Sequence, residues 1–278
     1  MKRYGMVIDV DRCTGCFNCF LACRDEHAGN DHRPVSAAQP DGHSWIKVRE
    51  VERGSFPKVK VSYVPVPCLQ CTDAPCMRAA TSGAMYRRAD GIVIIDPDKA
   101  AGQRDIVSAC PYGAVFWNET SNFPQKCTFC AHLLDDGWKE PRCVEACPVQ
   151  ALVFGDLDDP LSDVARLAAQ KQIEALAPEA ARPPLVRYLG LPACFIVGEI
   201  VLGDQPEECP EGIVLKLREG GQTVTVSTDN YGDFEFKNLR ADTQYVLSIE
   251  HAGYKPRELR VHTGEDPNVG TIVMDPAA

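Results

Sequence analysis

The sequence predicts an α+β protein in which a cysteine-rich amino-terminal region precedes a small all-β domain. Of its 14 cysteines, only Cys194 and Cys209 lie after residue 150. From about residue 193 onward, apolar and polar residues alternate in short runs, as strands with one buried face require. We therefore divide the chain into residues 1–155, a connecting segment 156–192 and a β domain 193–278.

The composition excludes several classes of protein. The formal net charge is −10, so nucleic acid is not an expected partner. The longest apolar runs, such as "FIVGEIVLG", fall well short of the roughly 20 residues that cross a bilayer, so direct membrane insertion is not expected. The start "MKRYGMVIDV" has no signal-peptide pattern or twin-arginine pair. This predicts a cytoplasmic location, unless a partner exports the chain.

The first cysteine group has the spacing C-x2-C-x2-C-x3-C and consists of Cys13, Cys16, Cys19 and Cys23. Bacterial ferredoxins use this spacing: three thiolates on a tight loop bind one [4Fe–4S] cluster, and the fourth cysteine ligates a second cluster. The proline that usually follows is absent here. Zinc is the competing interpretation, but two CxxC pairs suffice for zinc. Disulfides are disfavoured because they dominate short secreted chains.

The region contains an internal repeat. The segment "VIDVDRCTGCFNCFLAC" (Val7 to Cys23) aligns without a gap with "IIDPDKAAGQRDIVSAC" (Ile94 to Cys110). The second copy keeps the last cysteine but has lost the first three, which become Ala100, Gln103 and Ile106.

A second pair of segments repeats in the same way. "CLQCTDAPCMRAATSGAM", which begins at Cys68, aligns with "CTFCAHLLDDGWKEPRCVEACPVQAL", which begins at Cys127. Ala80 stands at the position of Cys147. The chain thus has the form of four ferredoxin-type motifs with four of sixteen ligands missing.

The pattern of losses predicts which cysteines share a cluster. If the last cysteine of each motif ligates the cluster of its partner motif, all four losses fall on one site. Without this crossing, the second motif would keep three ligands and the third only one. We therefore expect three [4Fe–4S] clusters and one erased site, in which Ala100 and Ile106 fill the volume as core. The predicted ligand sets are group A (Cys13, Cys16, Cys19, Cys147), group B (Cys127, Cys130, Cys143, Cys23) and group C (Cys68, Cys71, Cys76, Cys110).

The connecting segment predicts one helix. "DPLSDVARLAAQKQIEALAPEAARPP" has Asp159 as a candidate N-cap and Pro160 in the first turn. A partly apolar face is formed by Val164, Leu167, Ala168, Ile173 and Leu176. The Ala/Pro/Arg stretch that follows is predicted to be a connector.

The last segment predicts about seven short strands. "QTVTVSTD" alternates, "YVLSIE" places Tyr245, Leu247 and Ile249 on one face, and "DNYGDFEF" places a turn between two strands. These features favour a small β-sandwich. The segments "STDNYGDFEFKNL", "YVLSIEHAGYKP" and "VGTIVM" resemble the transthyretin-like or carboxypeptidase-regulatory-like sandwich, which implies a role in contacts and not in catalysis. Cys194 and Cys209 are expected to be isolated, partly buried thiols.

Other reactive side chains carry less information. The histidines, including His27, His32, His43 and His132, have no metal-ligand spacing with the cysteines, so we expect them at the surface or hydrogen-bonded. Lys126 precedes Cys127 and is either solvated or raises the reduction potential of a cluster. No nucleotide-binding or Ser/His/Asp motif is present, so no catalytic residue is expected.

The four-motif region resembles the electron-transfer subunits of the dimethyl sulfoxide reductase family of molybdopterin enzymes. "VIDVDRCTGCFNCFLACRDEH", "DGIVIIDPDKA", "CPYGAVFWNE", "KCTFCAHLLDDG" and "PRCVEAC" carry the resemblance. The erased site and the β domain narrow this resemblance to the small subunits of enzymes that act on hydroxylated aromatics such as pyrogallol, phloroglucinol or resorcinol.

The resemblance implies a heterodimer with a large catalytic subunit. That partner would hold bis-molybdopterin guanine dinucleotide with molybdenum or tungsten, and this chain would carry electrons between it and a donor or acceptor, for example a soluble one. Three alternatives stay open: clusters with a mainly structural role in a redox-neutral transhydroxylase, a subunit of another oxidoreductase of the same family, and a free-standing polyferredoxin.

Overall fold

The computed structural model describes residues 2–40, 43–170, 173–176, 183–264 and 268–277 of an α+β chain. The chain divides into two compact units: Met1–Glu50 with Ser62–Leu191, and Val51–Val61 with Pro192–Ala278. In chain order the elements are β1 (Tyr4–Asp9), α1 (Asn18–His27), β2 (Lys47–Ser55), β3 (Lys58–Val66), α2 (Pro75–Ala79), β4 (Met85–Arg87), β5 (Val93–Ile95), α3 (Asp105–Ser108), β6 (Val115–Asn118), β7 (Phe123–Lys126), α4 (Ala131–Asp135), α5 (Arg142–Glu145), β8 (Leu152–Asp156), α6 (Asp163–Ala168), β9 (Val186–Leu189), β10 (Cys194–Leu202), β11 (Val214–Glu219), β12 (Gln222–Ser227), β13 (Asp233–Leu239), β14 (Gln244–Ile249), β15 (Arg257–His262) and β16 (Asn268–Met274).

The first unit contains a three-stranded sheet with β1 at its centre. Strand β1 pairs antiparallel with β8 and parallel with β9, and its residues Met6, Val7 and Ile8 are buried. The strand therefore joins the first cysteine motif to the segment that follows the last one.

Short helices follow the cysteine loops of the first unit and pack in pairs. Helix α1, from the first motif, contacts α5 from the fourth, and α2 from the second contacts α3 from the third. The aligned glycines Gly15 and Gly102 both adopt a left-handed backbone, with φ of 68° and 75°. The second copy thus keeps the turn of the first although its three loop cysteines are gone.

The predicted N-cap of the connecting helix is wrong. Helix α6 begins at Asp163 and its N-cap is Ser162, whose Oγ accepts a hydrogen bond from the Ala165 amide at 3.2 Å. Asp159 instead accepts from the Leu161 amide at 2.9 Å, in the turn before the helix. Ile173 and Leu176 are not helical, and residues 171–172 and 177–182 of the predicted helix and connector lie outside the described residues.

The carboxy-terminal part of the second unit contains, among its described residues, seven strands in two sheets. Their orders are β13-β10-β16 and β12-β11-β14-β15. Tyr245, Leu247 and Ile249 are buried as predicted, in a core to which both sheets contribute. The predicted turn after β12 is confirmed, but it connects strands of different sheets.

The second unit also includes the tip of the β2–β3 hairpin, residues 51–61, which the sequence did not indicate. Lys58 forms an ion pair with Asp233, and Lys60 forms one with Glu235. The unit is therefore assembled from two separate stretches of the chain.

Candidate iron–sulfur cluster sites

Group A lies at the loop between β1 and α1. Gly15 and Phe17 both have positive φ, which lets the loop curl tightly between its cysteines. Burial raises the pKa of Cys19 to about 12, with further increases from the Cys13, Cys147 and Cys16 thiols. Cys147 therefore joins the three loop cysteines, although it is 128 residues from Cys19 in the sequence. Cys16 is exposed, so this group reaches the protein surface.

Group B is enclosed, since all four of its cysteines are buried. Burial raises the pKa of the Cys143 thiol well above its ordinary value, and the Cys130, Cys127 and Cys23 thiols raise it further. The amide of Phe129 donates to Cys127 Sγ at 3.4 Å. Cys23, from α1, is thus brought to the fourth motif and not to its own loop.

Group C lines a single cavity, together with Val93, Val115 and Lys126. Burial raises the pKa of Cys71 to about 12, and the thiols of Cys68, Cys76 and Cys110 add to the rise. The amide of Ala114 donates to Cys110 Sγ at 3.4 Å. Cys147 of group A has the same kind of contact. The amide of Ala151, four residues later in the chain, donates to Cys147 Sγ at 3.2 Å.

Group B has a neighbouring thiol in each of the other two groups. The Cys19 thiol of group A is among the neighbours that raise the pKa of Cys143, after burial and the other thiols of group B. The Cys68 thiol of group C likewise raises the pKa of Cys127, where its effect is smaller than those of burial and of the Cys23 thiol. Group B is therefore next to both of the others.

The donor sets fit [4Fe–4S] clusters. Each group offers four thiols, which is the ligand number of a cubane, and backbone N–H groups point at several of the sulfurs. Burial and mutual repulsion disfavour the thiolate forms in the absence of metal. Four thiolates can share so small a volume only when a cationic centre ionises them and neutralises their charge.

Protein side chains occupy the positions of the three loop cysteines that the third motif lacks. Ala100 and Ile106 are fully buried, as predicted for residues that replace a cluster with core. Gln103 lies at the rim, where its Oε1 accepts from the Thr81 amide at 2.9 Å and its Nε2 donates to Lys99 O at 2.9 Å. An amide side chain thus connects the second and third motifs at the place where a cluster would otherwise connect them.

Sequence reasoning missed several residues that hold the cysteine loops. Gln70 is fully buried, donates to Cys127 O at 2.9 Å and accepts from the Val93 amide at 2.8 Å, so it connects the loops of groups B and C. Gln39 donates to Cys23 O at 3.1 Å. The sequence feature that could have indicated a role for Gln70 is its position between Cys68 and Cys71, the two cysteines of a C-x2-C pair.

Three histidines lie beside group B. His27 is buried, with Nε2 3.8 Å from Cys130 Sγ, and ring nitrogens of His27, His32 and His132 lie within 4.8 Å of one another. The rings of His32 and His132 stack 3.7 Å apart at an angle of 11°. The planes of these two rings are therefore nearly parallel. The hydrogen-bonded role predicted for His132 is confirmed by its 2.9 Å contact with Glu26.

The two cysteines outside the motifs belong to the second unit. Cys194 is half-buried, with its Sγ 3.5 Å from Thr263 O. Cys209 is exposed, so the prediction that it is partly buried is wrong.

The fold and its cysteine motifs define an iron–sulfur protein of the electron-transfer class. The family described as "4Fe-4S dicluster domain" matches residues 59–157. The chain is 39% identical to the pyrogallol hydroxytransferase small subunit of Pelobacter acidigallici, over 99% of this chain and 100% of the relative.

Two further relatives match about two thirds of this chain. The arsenate respiratory reductase iron-sulfur subunit ArrB of Shewanella sp. is 33% identical, over 67% of this chain and 96% of its own length. The protein NrfC of Escherichia coli is 39% identical, over 61% of this chain and 72% of its own length. The chain belongs to the family of iron–sulfur subunits of dimethyl sulfoxide reductase-type molybdopterin enzymes, and so the resemblance seen in the sequence is confirmed. Among the described helices, none has the length and apolar character needed to span a bilayer.

Proposed function

We propose that this chain carries three [4Fe–4S] clusters, held by groups A, B and C, and transfers electrons for a large molybdopterin-containing subunit. The observation that carries the proposal is the gathering of twelve thiols in three sets of four, each completed by a cysteine from another motif. Crossed ligation of this kind is the pattern of two-cluster ferredoxins. The division into residues 1–155, 156–192 and 193–278 and the cytoplasmic location stay predictions.

The chain's own residues supply the environment of each site. A bound [4Fe–4S] cluster provides a one-electron couple whose potential depends on charge, hydrogen bonds to sulfur and exposure. Burial of group B excludes water, and the amides of Phe129, Ala114 and Ala151 donate to cysteine sulfurs. Because groups A and C both adjoin group B, the enclosed site lies between the two others.

Group A is the site that we propose faces the partner. Cys16 is exposed, and two apolar side chains beside it, Phe17 and Leu21, are 41% and 54% exposed. Apolar side chains around a solvent-accessible redox centre are suited to a protein–protein contact. Such a contact excludes water from the path between the redox centres of the two proteins.

The partner's substrate is proposed to be a hydroxylated aromatic. This rests on the relative named pyrogallol hydroxytransferase small subunit, which is matched over its whole length. The partner would bind bis-molybdopterin guanine dinucleotide with molybdenum or tungsten. We assign no residue of this chain to the substrate or to the pterin.

A second candidate function is that the clusters mainly stabilise the fold and the subunit interface. It is favoured by the name of that relative, because transfer of a hydroxyl group between aromatics has no net redox change. Rapid freezing of the heterodimer during turnover, followed by electron paramagnetic resonance, distinguishes the two. Electron transfer predicts a cluster signal that rises and decays within a turnover, whereas constant cluster signals would contradict it.

The number of clusters is tested by iron analysis of the purified heterodimer. We expect about twelve irons bound to this chain, and about eight in Cys68→Ala, with the signals of groups A and B retained. Cys209→Ala, which changes an exposed thiol outside the motifs, is the matched control and should keep about twelve. A wild-type chain with about eight irons would contradict the proposal.

A further inference from the structure

Lys126 is a buried cation at the end of β7. Its side chain is 2% exposed, and Nζ donates to the backbone carbonyls of Val93 and Cys127, the latter at 3.1 Å. Two carbonyl acceptors fix the position of the ammonium group. The alternative that this lysine is solvated is therefore wrong.

No carboxylate balances this charge. In the parts of the chain that the structure describes, no Asp or Glu oxygen lies within 4.0 Å of Lys126 Nζ. A buried ammonium group without a counter-charge is costly, and such groups are normally paired. The two carbonyl dipoles offset only part of that cost, so a negative charge is expected nearby.

The thiols of group C would supply that charge once a bound cluster ionises them. Lys126 lines the same cavity as Cys68, Cys71, Cys76 and Cys110. Its contact with the Cys127 carbonyl also places the ammonium group beside a ligand of group B.

We propose that Lys126 is the internal counter-ion of the group C cluster, and to a smaller extent of the group B cluster, and raises the reduction potentials of both. This inference rests on the proposed three-cluster assignment. Reduction adds one electron to a cluster that is already anionic with its four thiolates. A fixed positive charge in a low-dielectric cavity stabilises the reduced form more than the oxidised form.

The test is a redox titration of the heterodimer with dithionite as the electron donor, followed by electron paramagnetic resonance. Lys126→Met removes the charge at similar length, and Lys126→Arg keeps it. The matched control is Lys139→Met, which removes an exposed charge in the loop between Cys130 and Cys143. Iron analysis of each variant reports on cluster content separately from potential.

We expect Lys126→Met to lower the equilibrium constant for one-electron reduction of the group C cluster at least about tenfold, or about 59 mV for one electron. The group B signal should shift less, and the group A signal should not move. Lys126→Arg and Lys139→Met should titrate like the wild type. Loss of the group C cluster in Lys126→Met, with retention in Lys126→Arg, would support the same role because Arg keeps the positive charge and Met does not.

Three results would overturn the inference. The first is a fully loaded Lys126→Met variant with unchanged potentials, and the second is an equal shift of all three signals. The third is loss of the cluster, or of the folded chain, in both Lys126→Met and Lys126→Arg, because shape and not charge would then be required. A wild-type iron content below about twelve would instead contradict the three-cluster assignment.

Discussion

The side-chain amide of Gln103 bonds to both backbone polar groups of Thr81. Its Oε1 accepts from the Thr81 amide at 2.9 Å, and its Nε2 lies 3.4 Å from the Thr81 carbonyl. Gln103 occupies the position of Cys16 in the first motif, and Thr81 follows the position of the lost Cys147 counterpart. This polar contact therefore connects the two motifs in which the predicted ligands are missing.

Removal of this contact should weaken the second and third motifs. We expect Gln103→Ala to lower the free energy of unfolding by about 1 kcal/mol, because it deletes partly exposed hydrogen bonds to Thr81 and Lys99. Urea unfolding monitored by circular dichroism measures the change. Gln222→Ala, at an exposed site in β12, is the control, and an equal effect there would contradict the assignment.

The packing around Ile106, at one of the positions where a ligand is missing, should make stability sensitive to truncation of this side chain. Ile106 is fully buried, so Ile106→Ala is expected to cost about 2–5 kcal/mol and Ile106→Val about 0.5–1.5 kcal/mol. Leu161→Ala, at a side chain that is 84% exposed, should change stability by less than about 0.5 kcal/mol. The midpoints of urea unfolding check this series, and a well-tolerated Ile106→Ala would mean that the site is not packed.

Crossed ligation predicts which variants lose the same cluster. Cys23→Ala should remove the signal that Cys127→Ala removes, whereas Cys13→Ala should remove a different one, because Cys23 lies among the thiols of group B. Electron paramagnetic resonance of the reduced variants makes the comparison. If Cys13→Ala and Cys23→Ala lost one and the same signal, each motif would bind its own cluster.

An ion pair between Arg88 and Asp135 should make the free energy of unfolding depend on pH in the acidic range. Arg88 donates to both Asp135 oxygens, at 2.8 and 2.6 Å, and these bonds lower the pKa of Asp135 below its ordinary value of 3.8. The stabilisation is present above pH 3.8 and is lost as the pH falls through the lower folded-state pKa. The effect is modest because Asp135 is half exposed.

Unfolding midpoints at pH values from 7 down to about 3 test this dependence. We expect Asp135→Asn to be less stable than the wild type at neutral pH and to lose less stability in acid. Asp136→Asn changes the neighbouring exposed carboxylate and should follow the wild type. Parallel curves for all three proteins would show that the bridge contributes nothing.

The features that were predictable from sequence are those with a local signature. Ligand spacing fixes the loops of Cys13, Cys16 and Cys19, and alternation places Tyr245, Leu247 and Ile249 in a core. Contacts between distant segments have no such signature. Neither the burial of Lys126 nor the contact of His27 with Cys130, which is 103 residues away, follows from any periodic pattern. The helix start at Ser162 was missed because Asp159 and Ser162 are both good N-cap residues, and only the backbone conformation decides between them.

The hairpin tip at residues 51–61 has a consequence for any attempt to shorten this protein. A chain cut after residue 191 would keep Lys58 and Lys60 but lose Asp233 and Glu235, the carboxylates to which they bind. The carboxy-terminal strands are therefore not a detachable tail, and a transplant of that domain onto another scaffold must carry the hairpin with it.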